Sequence, residues 1–204
     1  MAISTYADLK TAVASWLKRD DLTANIPDYI LLAQRRIEHT LRVPEMEATL
    51  SITATTSASV ITLSASTLAL RYIHVSGQRG SLLNPPVTPE TFECEYSDIG
   101  SSSYPVWWTK EGQNLRIAPV PTASVTLIAR AYRRLADLSA TADTNLLLQR
   151  APALYLYGAL IESAPFLGHD QRTALWSQMW EDQVQRLNEE KALDHVGNLR
   201  AYYV

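Results

Sequence analysis

Residues 154–190 read LYLYGALIESAPFLGHDQRTALWSQMWEDQVQRLNEE, and this stretch decides the fold. In its first part Leu154, Leu156, Tyr157, Leu160 and Ile161 cover most of a helix circumference. A helix that is apolar nearly all round is buried on several sides. Pro152 suits an early position of that helix, where a missing N–H costs little. Pro165 and Gly168 end it. Beyond them Leu175, Trp176, Met179, Trp180, Val184 and Leu187 recur at helical spacing and predict a second helix from about His169 to Lys191. At 1.5 Å per residue it would be roughly 34 Å long. Each of these helices has an apolar face that needs a partner. A short helical turn over Asp143–Gln149 is expected just before them.

The partners lie at the other end of the chain. Ser4 or Thr5 is placed to cap a helix whose apolar positions are Tyr6, Leu9, Val13, Trp16 and Leu17. The run KRDDLTANIP (18–27) breaks it. Asn25 is expected to cap a second helix, with Pro27 in the first turn and Asp28 at the positive end. Its stripe is Ile26, Ile30, Ala33, Ile37 and Leu41, and Pro44 stops it.

The middle changes period from helical to alternating. Leu50, Ile52 and Val60 alternate with Thr and Ser between Ala48 and Leu63, and Tyr72, Ile73 and Val75 form another strand. In the proline-rich LLNPPVTPETFECEYSD (82–98), Thr88, Pro89 and Glu90 start a short helix. Val106–Lys110 and Leu115–Ala118 form a hairpin around Glu111–Gly112–Gln113–Asn114, and Val125–Arg134 is a long strand. Prolines 105, 119 and 121 fall at strand ends. The expected fold is α+β. An antiparallel helical core comes from the N- and C-terminal helices (1–46 and 138–193), a β-rich insertion (47–137) forms a small sheet or partial barrel, and an extended arm follows (194–204).

With 204 residues, 47% apolar and 19% charged, the chain is long enough for a substantial core and too apolar for extensive disorder. The net charge of −3 argues against binding nucleic acid through bulk positive charge. The polar start MAISTYADLK and the lack of a run of ~20 apolar residues predict a soluble protein with no membrane span.

Catalytic signals are absent from the sequence. His39, His74, His169 and His195 are scattered without metal-ligand spacing. Cys94 sits between Glu93 and Glu95, which disfavour a thiolate, so it is expected to be a small packing residue. There is no nucleophile elbow, phosphate loop or dinucleotide fingerprint. The acidic pairs Asp20–Asp21, Glu45/Glu47 and Glu189–Glu190 lie where solvation or helix-end electrostatics accounts for them. No metal, cofactor or reaction is expected.

Three features point to binding instead. Arg35 and Arg36, and Arg130 and Arg134, are candidate contacts to DNA or a neighbouring subunit, with a salt-bridged surface as the favoured alternative. Trp107 and Trp108 must point to opposite faces of a strand, so one ring is a candidate partner or sugar platform, or else fills a second small core. Tyr155 and Tyr157 are expected to pack between helices. The terminal AYYV cannot bury two tyrosines by itself, and either folds back or docks elsewhere, for example as an added strand.

The 154–190 segment resembles the C-terminal helical part of short-tailed bacteriophage head-to-tail adaptor proteins. Its Tyr-Leu-Tyr-Gly-Ala-Leu run, Pro-Phe-Leu and tryptophan-bearing helix carry the likeness. TYADLKTAVASWLKRDDLTANIPDYILLAQRRIEHTLRVPEME (5–47) is similar to their N-terminal part. The resemblance implies a non-enzymatic virion protein of the neck and tail, assembled in the host cytoplasm. It implies a ring, of twelve copies, beneath the portal, with side-by-side helical domains around a channel that passes DNA without sequence-specific binding. The insertion would face outward or toward tail nozzle or tail fibre proteins. A C-terminal arm from Gly197 to Val204, including Leu199, Arg200, Tyr202 and Tyr203, would hook onto the portal. The alternative is a carbohydrate- or protein-binding module using an exposed tryptophan.

Overall fold

The computed structural model describes residues 3–19, 21–78, 83–168 and 171–200, the side chains of 192–200 excepted. The first helix, α1, spans Tyr6–Leu17. Thr5 caps it reciprocally: its hydroxyl accepts from the Asp8 N–H and the Asp8 carboxylate accepts from the Thr5 N–H, both at 3.1 Å. A 3₁₀ turn over Thr23–Asn25 leads into α2, Ile26–Thr40. Asn25 does not cap α2 with its side chain as expected. The preceding turn already holds its backbone in helical dihedrals, and Pro27 sets the first turn instead.

After a turn at Pro44–Met46 the chain enters β1 (Glu47–Ala54), β2 (Val60–Thr62) and β3 (Thr67–Val75). Thr88 caps α3 (Pro89–Thr91), which runs on into a π-helical turn over Phe92–Tyr96. Then follow β4 (Ser101–Ser102), β5 (Trp107–Glu111), β6 (Asn114–Ala118), β7 (Val120–Pro121) and β8 (Val125–Arg133). The helices α4 (Leu146–Arg150), α5 (Pro152–Glu162), α6 (Ala164–Leu167) and α7 (Arg172–Arg200) complete the chain. The fold is α+β. It divides into a helical unit, Met1–Glu45 with Leu135–Val204, and a β unit, Met46–Arg134.

In the helical unit α5 is the central element and packs against α1, α2, α4 and α7. That explains its composition: Leu154, Tyr155, Leu156, Ala159 and Leu160 are all buried. Gly158 lets α2 come close, since a Cβ there would lie 3.0 Å from the Ala33 Cβ. The expected stripe of α2 is fully buried, each large aliphatic contributing roughly 1.5–3 kcal/mol relative to exposure. Gln34, also buried, spans to the segment after β8. Its Nε2 donates to the Ala136 carbonyl at 3.1 Å and its Oε1 accepts from the Leu138 N–H at 3.4 Å, so residues 136–138 are tied to α2.

Two helix expectations change. Trp16 and Leu175, placed on apolar stripes by spacing, are 41% and 52% exposed. Each sits at the margin of its stripe, where packing partners run out. The last helix also continues past Lys191 to Arg200, about 43 Å in all. Residues 194–200 of the expected arm therefore have helical backbone.

Among the described residues the strands of the β unit form three small sheets, where a small sheet or partial barrel was expected. One has the order β1-β8-β3, with β8 antiparallel to both neighbours. Glu47 stands opposite Tyr132 and Ala54 opposite Val125, without a break in register. A second has the order β2-β6-β5, and β4 pairs with β7 in parallel. Gly112, at φ +58°, opens the two-residue turn between β5 and β6, as the hairpin requires. Ile52, Ile73, Leu127, Trp108, Leu115 and Ile117 from the two three-stranded sheets share one core. Val60 faces out at 48% exposure, and Cys94 is exposed on the π-helical turn rather than packed inside. Its neighbours Phe92 and Tyr96 take the inward positions of that turn, Phe92 buried and Tyr96 half-buried.

Candidate assembly surface

The helical unit leaves several large apolar side chains uncovered. Leu31, Leu32, Leu146 and Phe166 are exposed together with Trp16 and Leu175. Leu31 and Leu32 lie off the buried stripe of α2, on its outer side. Phe166 is held by Tyr29, with ring centroids 5.3 Å apart. Trp16 meets Tyr157 edge-on at 5.8 Å, and the Arg172 guanidinium donates to the Trp16 carbonyl at 3.1 Å. These rings are fixed in place while part of each remains in water, as is common for interface aromatics. An open groove of about 520 Å³ also runs between α1 and the start of α2.

The arginines singled out by sequence have partners. Arg35 bonds Glu38 at 2.9 Å and Asp137 at 2.8 Å, while Arg36 bonds Glu162 at 2.6 Å and lies 5.8 Å from the Trp180 ring centroid. Arg130 donates to the Thr49 hydroxyl at 2.6 Å and pairs with Glu47 at 3.5 Å. The Arg134 backbone N–H donates to the Ser66 carbonyl at 2.8 Å. Arg35 and Arg36 belong to the helical unit, Arg130 and Arg134 to the β unit. Arg150, which sequence reasoning passed over, pairs with both Glu45 and Glu190 and so ties the end of α2's exit turn to α7. The hydrogen bonds it donates, to Glu45 first and then to Glu190, hold its pKa above the usual arginine value.

The two tryptophans separate as alternation requires. Trp108 is buried, and Trp107 is half-buried with one face stacked on Tyr96 at 4.3 Å and 18°. Arg116 secures that arrangement, pairing with Glu93 at 2.7 Å and Glu111 at 3.1 Å and lying 5.0 Å from the Phe92 ring. Of the expected arm, Gly197, Leu199 and Arg200 lie on the helical backbone of α7, with side chains outside those described. Tyr202, Tyr203 and Val204 lie outside the described residues.

Tyr155, buried at the centre of the helical unit, has its pKa pushed well above the tyrosine value by burial, while its bond with Asn145 opposes the shift. Among the described residues no group of three or more His, Cys, Asp or Glu is arranged to hold a metal, and no helix is long and apolar enough to cross a membrane. The chemistry on view is that of surfaces: fixed aromatic rings, uncovered leucines and paired charges.

Comparison with protein families finds the model described as SU10 adaptor protein matching residues 4–200, nearly the whole chain and both of its units. The chain belongs to the SU10 adaptor protein family. A comparison with curated proteins found no match. The adaptor is thus a structural component of a bacteriophage virion. The match also extends through the β insertion, beyond the two helical segments that carry the likeness in the sequence.

Proposed function

We propose that the adaptor forms a ring, of twelve copies, below the portal, joins the capsid vertex to the tail and continues the DNA channel. Family membership across residues 4–200 carries this reading. The helical unit supports it physically, because Trp16, Leu31, Leu32, Phe166 and Leu175 leave apolar surface that a neighbouring subunit would cover. The portal is engaged by the arm, Gly197, Leu199, Arg200, Tyr202, Tyr203 and Val204. The insertion meets tail nozzle or tail fibre proteins. The paired states of Arg35, Arg36 and Arg130 suit a wall that DNA slides past, since guanidiniums already neutralised by carboxylates have little charge left for phosphates. Assembly takes place in the host cytoplasm, and no reaction is involved.

The test is a pull-down with purified portal, comparing the full chain with one lacking residues 197–204. Electron microscopy of the complex gives the copy number. The truncated chain is expected to keep its fold and lose portal attachment; undiminished attachment would remove the arm from the mechanism.

A further inference from the structure

The sheet β1-β8-β3 has one open edge. Its central strand, β8, turns alternate backbone groups toward its two neighbours. The Ser76 N–H donates to the Thr126 carbonyl at 2.9 Å, so Thr126, and with it Ile128 and Arg130, faces the β3 side. Val125, Leu127, Ala129 and Ala131 therefore face β1, opposite Ala54, Ile52, Leu50 and Ala48. The N–H and C=O groups of Glu47, Thr49, Ser51 and Thr53 are left pointing away from the sheet. Among the described residues no backbone bond reaches them. Thr49, Ser51 and Thr53 are exposed.

The other long edges are guarded. The Leu83 N–H donates to the Ile73 carbonyl at 2.9 Å on the outer side of β3, which also breaks register twice. The Asn84 and Val87 N–H groups donate to the Val106 and Trp108 carbonyls at 2.9 and 3.2 Å and so cover β5. β2 is only three residues long. β1 has eight residues in unbroken register, with no proline and no lysine to discourage a further strand.

A cation reaches over this edge. Arg130 extends from β8 to β1, where its Nη1 donates to the Thr49 hydroxyl at 2.6 Å and its Nε lies 3.5 Å from the Glu47 carboxylate. Among the described residues its Nη2 is unbonded. The three strands carry Arg71, Arg130 and Arg133 against one acid, Glu47. The charge on the sheet therefore favours an acidic partner.

We infer that β1 receives an extended, acid-bearing strand from a tail protein, which pairs along Glu47–Ala54 and sets a carboxylate against Arg130. Main-chain bonds give such a contact its strength, and alternate side chains choose the partner. A second copy of this chain does not fit a ring in this way. Its β3 and β5 are covered, its β2 is too short to match β1, and pairing β1 with β1 relates two copies by a two-fold axis and stops at a pair. The inference rests on the reading that the insertion meets the tail, and names the edge and the form of that contact.

Hydrogen exchange resolved to single amides tests it on the full chain, in portal–adaptor assemblies before and after they are joined to purified tails. Before joining, the Leu50 and Ile52 amides are expected to exchange slowly and those of Thr49, Ser51 and Thr53 fast. After joining, the latter three should slow by about 100-fold or more. Ser51→Pro removes an outward N–H and no β1–β8 bond, and Arg130→Glu reverses the charge; each should weaken tail joining about tenfold or more while portal attachment stays as in the wild type. If either variant joins tails normally, strand addition is overturned. It is equally overturned if the three amides stay fast in joined wild-type particles, or if they slow in the adaptor alone as its concentration rises, which would mean that copies pair with each other. If they stay fast while other amides of residues 47–134 slow on joining, the insertion still meets the tail by another surface. If no amide of the insertion slows, that reading falls as well.

Discussion

Replacing Gly158 by Ala measures how closely α5 and α2 approach. A methyl at 158 would stand 3.0 Å from the Ala33 Cβ, 3.5 Å from the Trp180 Nε1 and 3.6 Å from the Ala33 Cα. Two effects oppose each other. Alanine in a helix interior is favoured over glycine by about 1 kcal/mol. Forcing a methyl into a filled space costs about 1–3 kcal/mol. The nearest contact is well inside the ~3.5–4.0 Å optimum for carbon pairs. The obstructing atoms are a methyl and backbone, which have no alternative rotamer to adopt. The steric effect therefore wins, and Gly158→Ala is expected to destabilise by about 1 kcal/mol, lowering Tm by about 2–4 °C in a chain of this size. Ala33→Gly alone should cost about 2 kcal/mol, from lost helix propensity and one lost buried methyl. Together the two changes move a methyl across the interface and should return stability to within about 1 kcal/mol of the original, non-additive by about 2 kcal/mol. Thermal and urea unfolding followed at 222 nm, where the helical unit dominates, reads all three. A stabilised Gly158→Ala, or strict additivity, would refute the close approach.

Tyr155 makes the helical unit sensitive to alkali. Burial keeps its hydroxyl protonated in the folded state, whereas the unfolded state ionises near pH ~10. Stability is therefore constant below that value and falls as pH rises beyond it. Urea midpoints measured from about pH 9 to about pH 11 should fall less for Tyr155→Phe than for the wild type; an identical slope would remove Tyr155 as the cause. Tyr96→Ala should uncover one face of Trp107, cost about 0.5–1.5 kcal/mol beyond the lost area, and shift tryptophan emission to the red. Unchanged emission would show that the stack does not shield the ring.

The helices were legible where spacing and local chemistry agree. Thr5 and Asp8 form a capping box three residues apart, and Ile26, Ile30, Ala33, Ile37 and Leu41 are an uninterrupted stripe, so α1 and α2 could be placed from the chain alone. The hairpin around Gly112 was equally plain. Periodicity failed at stripe margins: it marks Trp16 and Leu175 as apolar and helical, but only the packed partners decide whether such a position is covered. It also missed that Asn25 sits inside a 3₁₀ turn, because a cap residue and a turn residue have the same composition. The groove beside α1 had a weak signal, the small outer residues Ala7, Thr11 and Ala14, yet its other wall comes from the start of α2 and no spacing along α1 reveals it. Trp107 and Trp108 could be sent to opposite faces, but the ring that covers Trp107 belongs to Tyr96, eleven residues earlier on an irregular turn.

The insertion also orders the events of folding. The β unit is one continuous stretch, Met46–Arg134, while the helical unit is made from two pieces that this stretch holds apart in the chain. During synthesis the β unit is complete before α4, α5 and α7 exist, so it is free to fold first. Because Glu47 pairs opposite Tyr132, its two ends emerge side by side. The entropic cost of closing so long a loop has then already been met when the C-terminal helices arrive, and they find α1 and α2 a few residues away. The β insertion thus serves the nascent chain as a clasp, and lesions in the β1–β8 seam should show themselves as slow maturation of the helical unit.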